Sequence, residues 1–141
     1  MTDLFALAGG LDGIERVVRD FYDHVFDDVM IGYMFRNADK ERLVTKEVEL
    51  AARLLGASDV RYTGEPLRRV HAPHRIMGGQ FMRRRKILED ALAGAHPEVR
   101  DAWLAHTDAL RPLVTADPGS DCSHLGPTFR QGVAEDVFVS P

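Results

Sequence analysis

The apolar positions between Leu11 and Val25 recur every three or four residues along the chain. This spacing places them on one face of an α-helix, which would bury that face against a core. The pair Gly9-Gly10 comes directly before the pattern, and Asp12 is the expected N-cap residue. The pattern predicts one long amphipathic helix whose apolar members are Ile14, Val18, Phe21, Tyr22 and Val25.

A second helix is predicted from about Lys40 to Leu55. Asn37 and Asp39 are both suitable N-cap residues ahead of it, because a short polar side chain can accept a hydrogen bond from the first turn. Gly56 follows the last apolar position, as glycine commonly does at a helix C-terminus.

Three more helical segments are predicted further along the chain. Long ones are expected over about 79–92 and from Pro97 to about Pro112. A helix of barely two turns fits between Pro66 and Pro73, since proline suits a first turn and stops a helix later. The sequence lacks sustained alternation of apolar and β-branched residues with polar ones. It therefore predicts an all-α fold.

The chain changes character after residue 115, where TADPGSDCSHLGP is rich in turn-forming residues. Only a sparse helical spacing of apolar residues continues beyond it. We therefore expect one domain over residues 1–115 and a C-terminal extension over residues 116–141 that lies on that domain.

Composition excludes several classes of protein. The formal net charge of −4 and the 45% apolar content fit a globular domain rather than a partner of nucleic acid or of an anionic membrane. The basic run at 83–86 is read as a solvated helix face. Cys122 has no second cysteine to pair with, and the N-terminus lacks the pattern of a secretory signal. A soluble, cytoplasmic protein is expected.

His71 is the strongest candidate for a residue with a chemical role. A short helix can aim one imidazole nitrogen at a metal, and a neutral imidazole is a good axial ligand for haem iron. The pattern alone leaves a partly buried surface histidine as the alternative. His71 and His74 are three residues apart, as zinc ligands can be, but Pro73 interrupts the helix between them and no second pair is spaced to match.

Four stretches of sequence, taken in order, resemble the truncated haemoglobin family. AGGLDGIERVVRDFYDHVF is similar to the family's first two helices, and YMFRNAD to the corner that supplies a phenylalanine to the haem. ASDVRYTGEPLRRVH is similar to the connection into the short proximal helix, and MGGQFMRRRKILEDAL with LRPLV to the last two long helices. Their order and spacing favour the first subgroup of the family and imply a truncated globin fold.

The resemblance implies a site that binds haem b. His71 takes the position of the iron ligand, and Phe35 takes that of the residue stacked on the haem. Tyr22 takes the position of the tyrosine that hydrogen-bonds the bound ligand. Leu43 stands where many globins keep a distal histidine, so that the sixth coordination position would be open, and Lys46 stands where a basic side chain often meets a propionate.

Glu47 departs from the family pattern, which commonly has glutamine at this place. If Glu47 faces the haem beside Tyr22, its carboxylate interrupts an apolar stripe with Leu43 and must be paired or protonated. If the helix is rotated slightly, a stripe through Val44 and Leu55 is buried instead and Glu47 lies in water. The two stripes match the sequence about equally well, and both readings stay open here.

The function implied is reversible binding of oxygen or another diatomic ligand such as nitric oxide or carbon monoxide. Oxidation of nitric oxide to nitrate, or peroxidase-like turnover, would require an electron-donating reductase. The alternative is a non-enzymatic module, either a haem-dependent sensor or a haem-free globin-like interaction domain. A monomer or a homodimer is expected.

Overall fold

A computed structural model describes residues 3–64 and 76–115 of the chain. These ranges form five α-helices and one short 3-10 helix, and they contain no β-structure beyond an isolated bridge between Ile76 and Thr115. In chain order the elements are α1 Leu4–Leu7, α2 Gly10–Asp27, the 3-10 helix Gly32–Phe35, α3 Lys40–Leu54, α4 Gly78–Ala91 and α5 Pro97–Val114. The predicted all-α fold is confirmed for this part of the chain.

The start of α2 differs from the prediction. The helix begins at Gly10, and its N-cap is Gly9, which makes no side-chain capping hydrogen bond. Gly9 and Gly10 have φ angles of 89° and 67°, a left-handed conformation that glycine adopts without a steric penalty. The two glycines turn the chain directly from α1 into α2. Asp12 lies inside the first turn, so the prediction of Asp12 as the N-cap was wrong.

The bounds of α3 agree with the sequence. Asp39 caps the helix by accepting a hydrogen bond from the backbone N–H of Arg42 at 3.2 Å. The helix ends at Leu54, and Gly56 follows it with a φ of 108°. Both boundaries are set by local chemistry, which explains why they could be predicted.

Helix α2 lies at the centre of the core and packs mainly against α3 and α4. Its apolar stripe is buried from Ile14 to Val25, as predicted. Trp103 of α5 is the largest fully buried side chain among the described residues. Burial of each large apolar side chain contributes about 1.5–3 kcal/mol to folding, so this stripe supplies much of the driving force.

A tight corner after α2 brings Phe35 toward the core. Gly32 approaches the α2 backbone so closely that a Cβ atom there would lie 2.7 Å from the Phe26 carbonyl oxygen. The 3-10 helix therefore packs against the end of α2, where the rings of Phe26 and Phe35 have centroids 5.6 Å apart. Asp28 fixes the same corner by accepting hydrogen bonds from the backbone N–H groups of Met30 and Ile31.

The basic run of α4 pairs with carboxylates from several segments. The expectation of a solvated face was wrong for Arg84 and Arg85, whose side chains are only 26% and 23% exposed. Each member of the run contacts at least one acidic side chain, because neighbouring segments present carboxylates around α4. The pairs are Arg83–Asp28, Arg84–Glu47, Arg85–Asp108 and Lys86–Glu89. No helix among the described residues is long and apolar enough to cross a membrane.

Candidate functional site

A cavity of about 590 Å³ opens between α2, the 3-10 helix, α3, α4 and α5. This volume lies within the range of sites that hold a drug-sized ligand or a cofactor. Much of the wall is apolar, and its members include Ile31, Met34, Phe35, Leu43, Leu50, Phe81, Leu110 and Val114. An apolar molecule of that size would fit such a space.

The cavity brings together all of the site residues predicted within the described ranges: Tyr22, Phe35, Leu43, Lys46 and Glu47. His71 lies outside the described residues. Gly64 and Ile76, the described residues on either side of the segment that contains it, both line the cavity.

Tyr22 lies on the cavity wall with only 5% of its surface exposed. Its ring makes edge contacts with Phe21, Phe26 and Phe35, with centroids 4.9, 6.3 and 6.4 Å away. Glu47 and Arg84 are the charged side chains that act on its hydroxyl, and both line the cavity with it. Burial, reinforced by the negative charge of Glu47, raises the pKa of Tyr22 well above its ordinary value, so the phenol stays protonated.

Glu47 lies on the cavity wall with its side chain 16% exposed. Its Oε1 accepts a hydrogen bond from Nη2 of Arg84 at 3.2 Å, so its charge is paired. The two stripes of α3 are not exclusive in the structure: Val44 and Leu55 are buried in the core, while Leu43 and Glu47 line the cavity. The pairing of Glu47 meets the requirement that a carboxylate in such a place have a partner.

Basic side chains also lie on the wall that α3 contributes. Lys46 donates a hydrogen bond to the Thr63 hydroxyl, which also hydrogen-bonds to Glu49. Arg42, one turn earlier in α3, is an exposed residue that lines the same cavity. These two cations could pair with the carboxylates of a ligand at the edge of the cavity.

Sequence reasoning missed Arg84, Gln80 and Tyr62, which also line the cavity. Gln80 is already engaged, because its amide accepts from the Met77 N–H at 2.8 Å and donates to the Tyr33 hydroxyl at 2.7 Å. A signal for Arg84 was present. It lies three residues after Phe81, which is a spacing that places two side chains on the same helix face.

An all-helical fold around an apolar cavity of this kind is the architecture of a globin. Residues 3–116 match the family model of bacterial-like globins. The "Group 1 truncated hemoglobin GlbN" of Mycolicibacterium paratuberculosis is 36% identical over 121 residues, which cover 84% of this chain and 88% of that protein. The chain therefore belongs to the bacterial-like globin family.

Solved structures share the fold. The truncated hemoglobin of Tetrahymena pyriformis in its Fe(III) form matches with a TM-score of 0.71 and 20% identity, over 81% of this chain and 98% of that one. The 2/2 hemoglobin of Synechococcus sp. PCC 7002, in the cyanomet state with covalently attached heme, matches with a TM-score of 0.73 and 19% identity, over 80% and 98%. The resemblance to truncated haemoglobins of the first group is confirmed, and globins are haem proteins that bind diatomic ligands.

Proposed function

We propose that this chain holds haem b in the cavity described above and reversibly binds a diatomic ligand beside Tyr22. The observation that carries the proposal is a buried phenol hydroxyl placed on the wall of a largely apolar cavity. A buried hydroxyl needs hydrogen-bond partners, and a ligand in this cavity would lie within reach of this one.

The residues present fit haem. The macrocycle is flat and apolar and carries two carboxylates at one edge. The cavity offers apolar walls for the ring, including Phe35, Leu43 and Phe81, together with the cations Arg42 and Lys46 on α3. The same side chain of Lys46 that donates to Thr63 could donate to a propionate.

His71 is proposed as the iron ligand. The support is that Gly64 and Ile76, which flank its segment, both line the cavity, and that the segment carries the histidine at the place the family uses. A neutral imidazole nitrogen is a strong ligand for haem iron. Mutation of His71 should therefore separate haem retention from folding.

When bound, haem supplies an iron atom with an open coordination position for a small ligand. Tyr22 donates a hydrogen bond to that ligand. Leu43 has no atom that can coordinate a metal, so it leaves the position open and excludes water. Phe35 packs edge-on against the ring of Tyr22, with the two ring centroids 6.4 Å apart, and helps to hold that ring in place. Together these side chains favour a ligand whose outer atom carries partial negative charge.

Several expectations stay predictions. Nitric oxide dioxygenase or peroxidase-like turnover would need an electron-donating reductase that the cavity itself does not supply. A sensor role, a monomeric or homodimeric state and a cytoplasmic location also stay predictions. So does the assignment of residues 116–141 as an extension, because they lie outside the described residues.

The test is titration of the purified, haem-free protein with haem. We expect saturation at one haem per chain, with a Soret band that shifts when the ferrous protein is exposed to carbon monoxide. Circular dichroism on the same sample monitors folding. A folded protein that binds no haem would overturn the proposal and favour the haem-free interaction domain.

A further inference from the structure

Arg84 is an unusual side chain for the wall of a largely apolar cavity. It reaches the cavity from α4, and its side chain is 26% exposed. Its guanidinium lies 4.7 Å from the ring centroid of Phe21, on which it stacks, and its Nη2 lies 3.2 Å from Oε1 of Glu47. Stacking and pairing hold the guanidinium in one place beside Tyr22.

The chemistry of the guanidinium fixes the direction of any hydrogen bond that it makes with Tyr22. A guanidinium has five N–H donors and no acceptor. In a hydrogen bond between the two side chains, the phenol oxygen would therefore be the acceptor. The phenol hydrogen is then left for another acceptor, and the cavity lies beside it.

We propose that Arg84, held by Glu47 and by Phe21, is a positioning residue: it donates a hydrogen bond to the Tyr22 oxygen and so directs the Tyr22 hydrogen into the cavity that both side chains line. This inference rests on the proposed function, because it concerns the ligand that Tyr22 would meet there. It assigns to Glu47 the task of anchoring Arg84 rather than of contacting the ligand.

The surroundings of Tyr22 leave few competing groups among the described residues. Phe26 on its own helix and Phe35 on the 3-10 helix present rings rather than acceptors. The charged groups acting on the hydroxyl are Glu47 of α3 and Arg84 of α4, and the Tyr62 phenol lies on the same cavity wall. Without Arg84, the Glu47 carboxylate would be the strongest acceptor available to the Tyr22 hydrogen.

The test is the infrared stretching frequency of carbon monoxide in the ferrous protein. A hydrogen-bond donor or positive charge beside the ligand lowers this frequency, and negative charge raises it. Arg84→Met keeps the stem on Phe21 but removes every donor, so we expect the frequency to rise to that of Tyr22→Phe. Glu47→Gln keeps an oxygen that can accept from Arg84 but removes the negative charge, so we expect a shift in the opposite direction.

Oxygen dissociation gives a second readout. Loss of one directed hydrogen bond should speed release about tenfold in Arg84→Met, and the double variant with Tyr22→Phe should be no faster than Tyr22→Phe alone. Arg85→Met is the matched control, because Arg85 pairs with Asp108 and does not line the cavity. If Arg84→Met is unstable, Arg84→Gln serves, since an amide can itself accept the phenol hydrogen.

The outcomes separate the two proposals. Absence of haem binding by the folded protein would overturn both. If haem binds and Tyr22→Phe raises the frequency while Arg84→Met and Arg84→Gln leave it at the wild-type value, the positioning role alone is overturned. A rise with either Arg84 variant that is absent in Arg85→Met and disappears in the Tyr22→Phe background supports it. A rise of the same size in that background would show a direct effect of the Arg84 charge and would overturn the positioning role.

Discussion

Asp28 and Arg83 are separated by 55 residues of sequence and form an ion pair with an Oδ1–Nη2 distance of 2.6 Å. The Asp28 side chain is only 4% exposed, and it also accepts hydrogen bonds from the backbone N–H groups of Met30 and Ile31. One carboxylate thus joins the end of α2, the corner that leads to Phe35, and α4. Two walls of the cavity depend on it.

Asp28→Asn should destabilise the protein in a pH-dependent manner. Hydrogen bonds from Arg83 and from the two backbone N–H groups lower the pKa of the Asp28 carboxyl. A lowered pKa stabilises the fold above the ordinary carboxyl value of about 3.9, and this contribution is lost as the pH falls through the folded value. We expect a loss of about 1–2 kcal/mol at pH 7 that shrinks below about pH 4.

Urea unfolding of the haem-free protein between pH 3 and 7 measures this difference. Glu41→Gln is the control, because Glu41 pairs with Arg19 at the surface and its side chain is 70% exposed. It should change stability much less. A difference between wild type and Asp28→Asn that stays constant from pH 3 to 7 would contradict the proposed role of the charge.

His71→Gly should weaken haem retention strongly, because the imidazole is the proposed protein–iron bond. Added imidazole should restore the spectrum, since the cavity left by the side chain can hold the free base. His74→Ala is the matched control and should leave the ferrous spectrum unchanged. An unchanged spectrum in His71→Gly, or a lost one in His74→Ala, would reassign the ligand.

Tyr22→Phe should speed oxygen dissociation by roughly 10- to 100-fold, the range expected when a hydrogen bond of about 1.5–3 kcal/mol to a polarised partner is lost. Carbon monoxide is less polarised and should be affected much less. Tyr33→Phe is the control, because Tyr33 is exposed and does not itself line the cavity, although its hydroxyl accepts from Gln80, which does. Equal changes for both gases would indicate altered packing instead.

Gly32→Ala should lower both stability and haem affinity. Its new Cβ would lie 2.7 Å from the Phe26 carbonyl oxygen, so the corner must shift and carry Phe35 with it. We expect a loss of about 1–3 kcal/mol, typical of overpacking. Gly79→Ala is the control, because a Cβ there meets nothing within 4 Å.

Thermal unfolding and haem titration of both glycine variants provide the comparison. Alanine is the better helix former, so Gly79→Ala should be neutral or stabilising by up to about 1 kcal/mol. Equal behaviour of the two variants would show that the close approach at Gly32 is easily relieved.

The features that sequence predicted well are those set by local chemistry. The stripe of α2 follows from spacing alone, and Asp39 caps α3 through a hydrogen bond to a residue three positions away. The prediction of Asp12 as an N-cap failed although it was also local. Two consecutive glycines replaced a side-chain cap with a backbone turn, and the pattern of apolar residues carries no information about that choice.

The candidate site was predictable only where family resemblance supplied a position, as for Tyr22 and Phe35. The surroundings of Glu47 could not be predicted, because two overlapping stripes of α3 matched the sequence equally well. In the structure one stripe is buried in the core and the other lines the cavity. Arg84 was missed for a related reason: its partner is 37 residues away, and a basic run has the same appearance whether its members meet solvent or carboxylates.

The basic run of α4 bears on how this helix is oriented about its own axis. Successive residues of an α-helix point about 100° apart, so the four cations face different directions and meet acidic groups from the α2 corner, α3, α5 and α4 itself. If α4 shifted by one residue, its ion pairs with Asp28, Glu47 and Asp108 would all break together. Together with the buried Phe81, Ile87 and Leu88, these charges specify the orientation of α4 about its axis. They thereby place Arg84, the arginine of this run that faces the cavity.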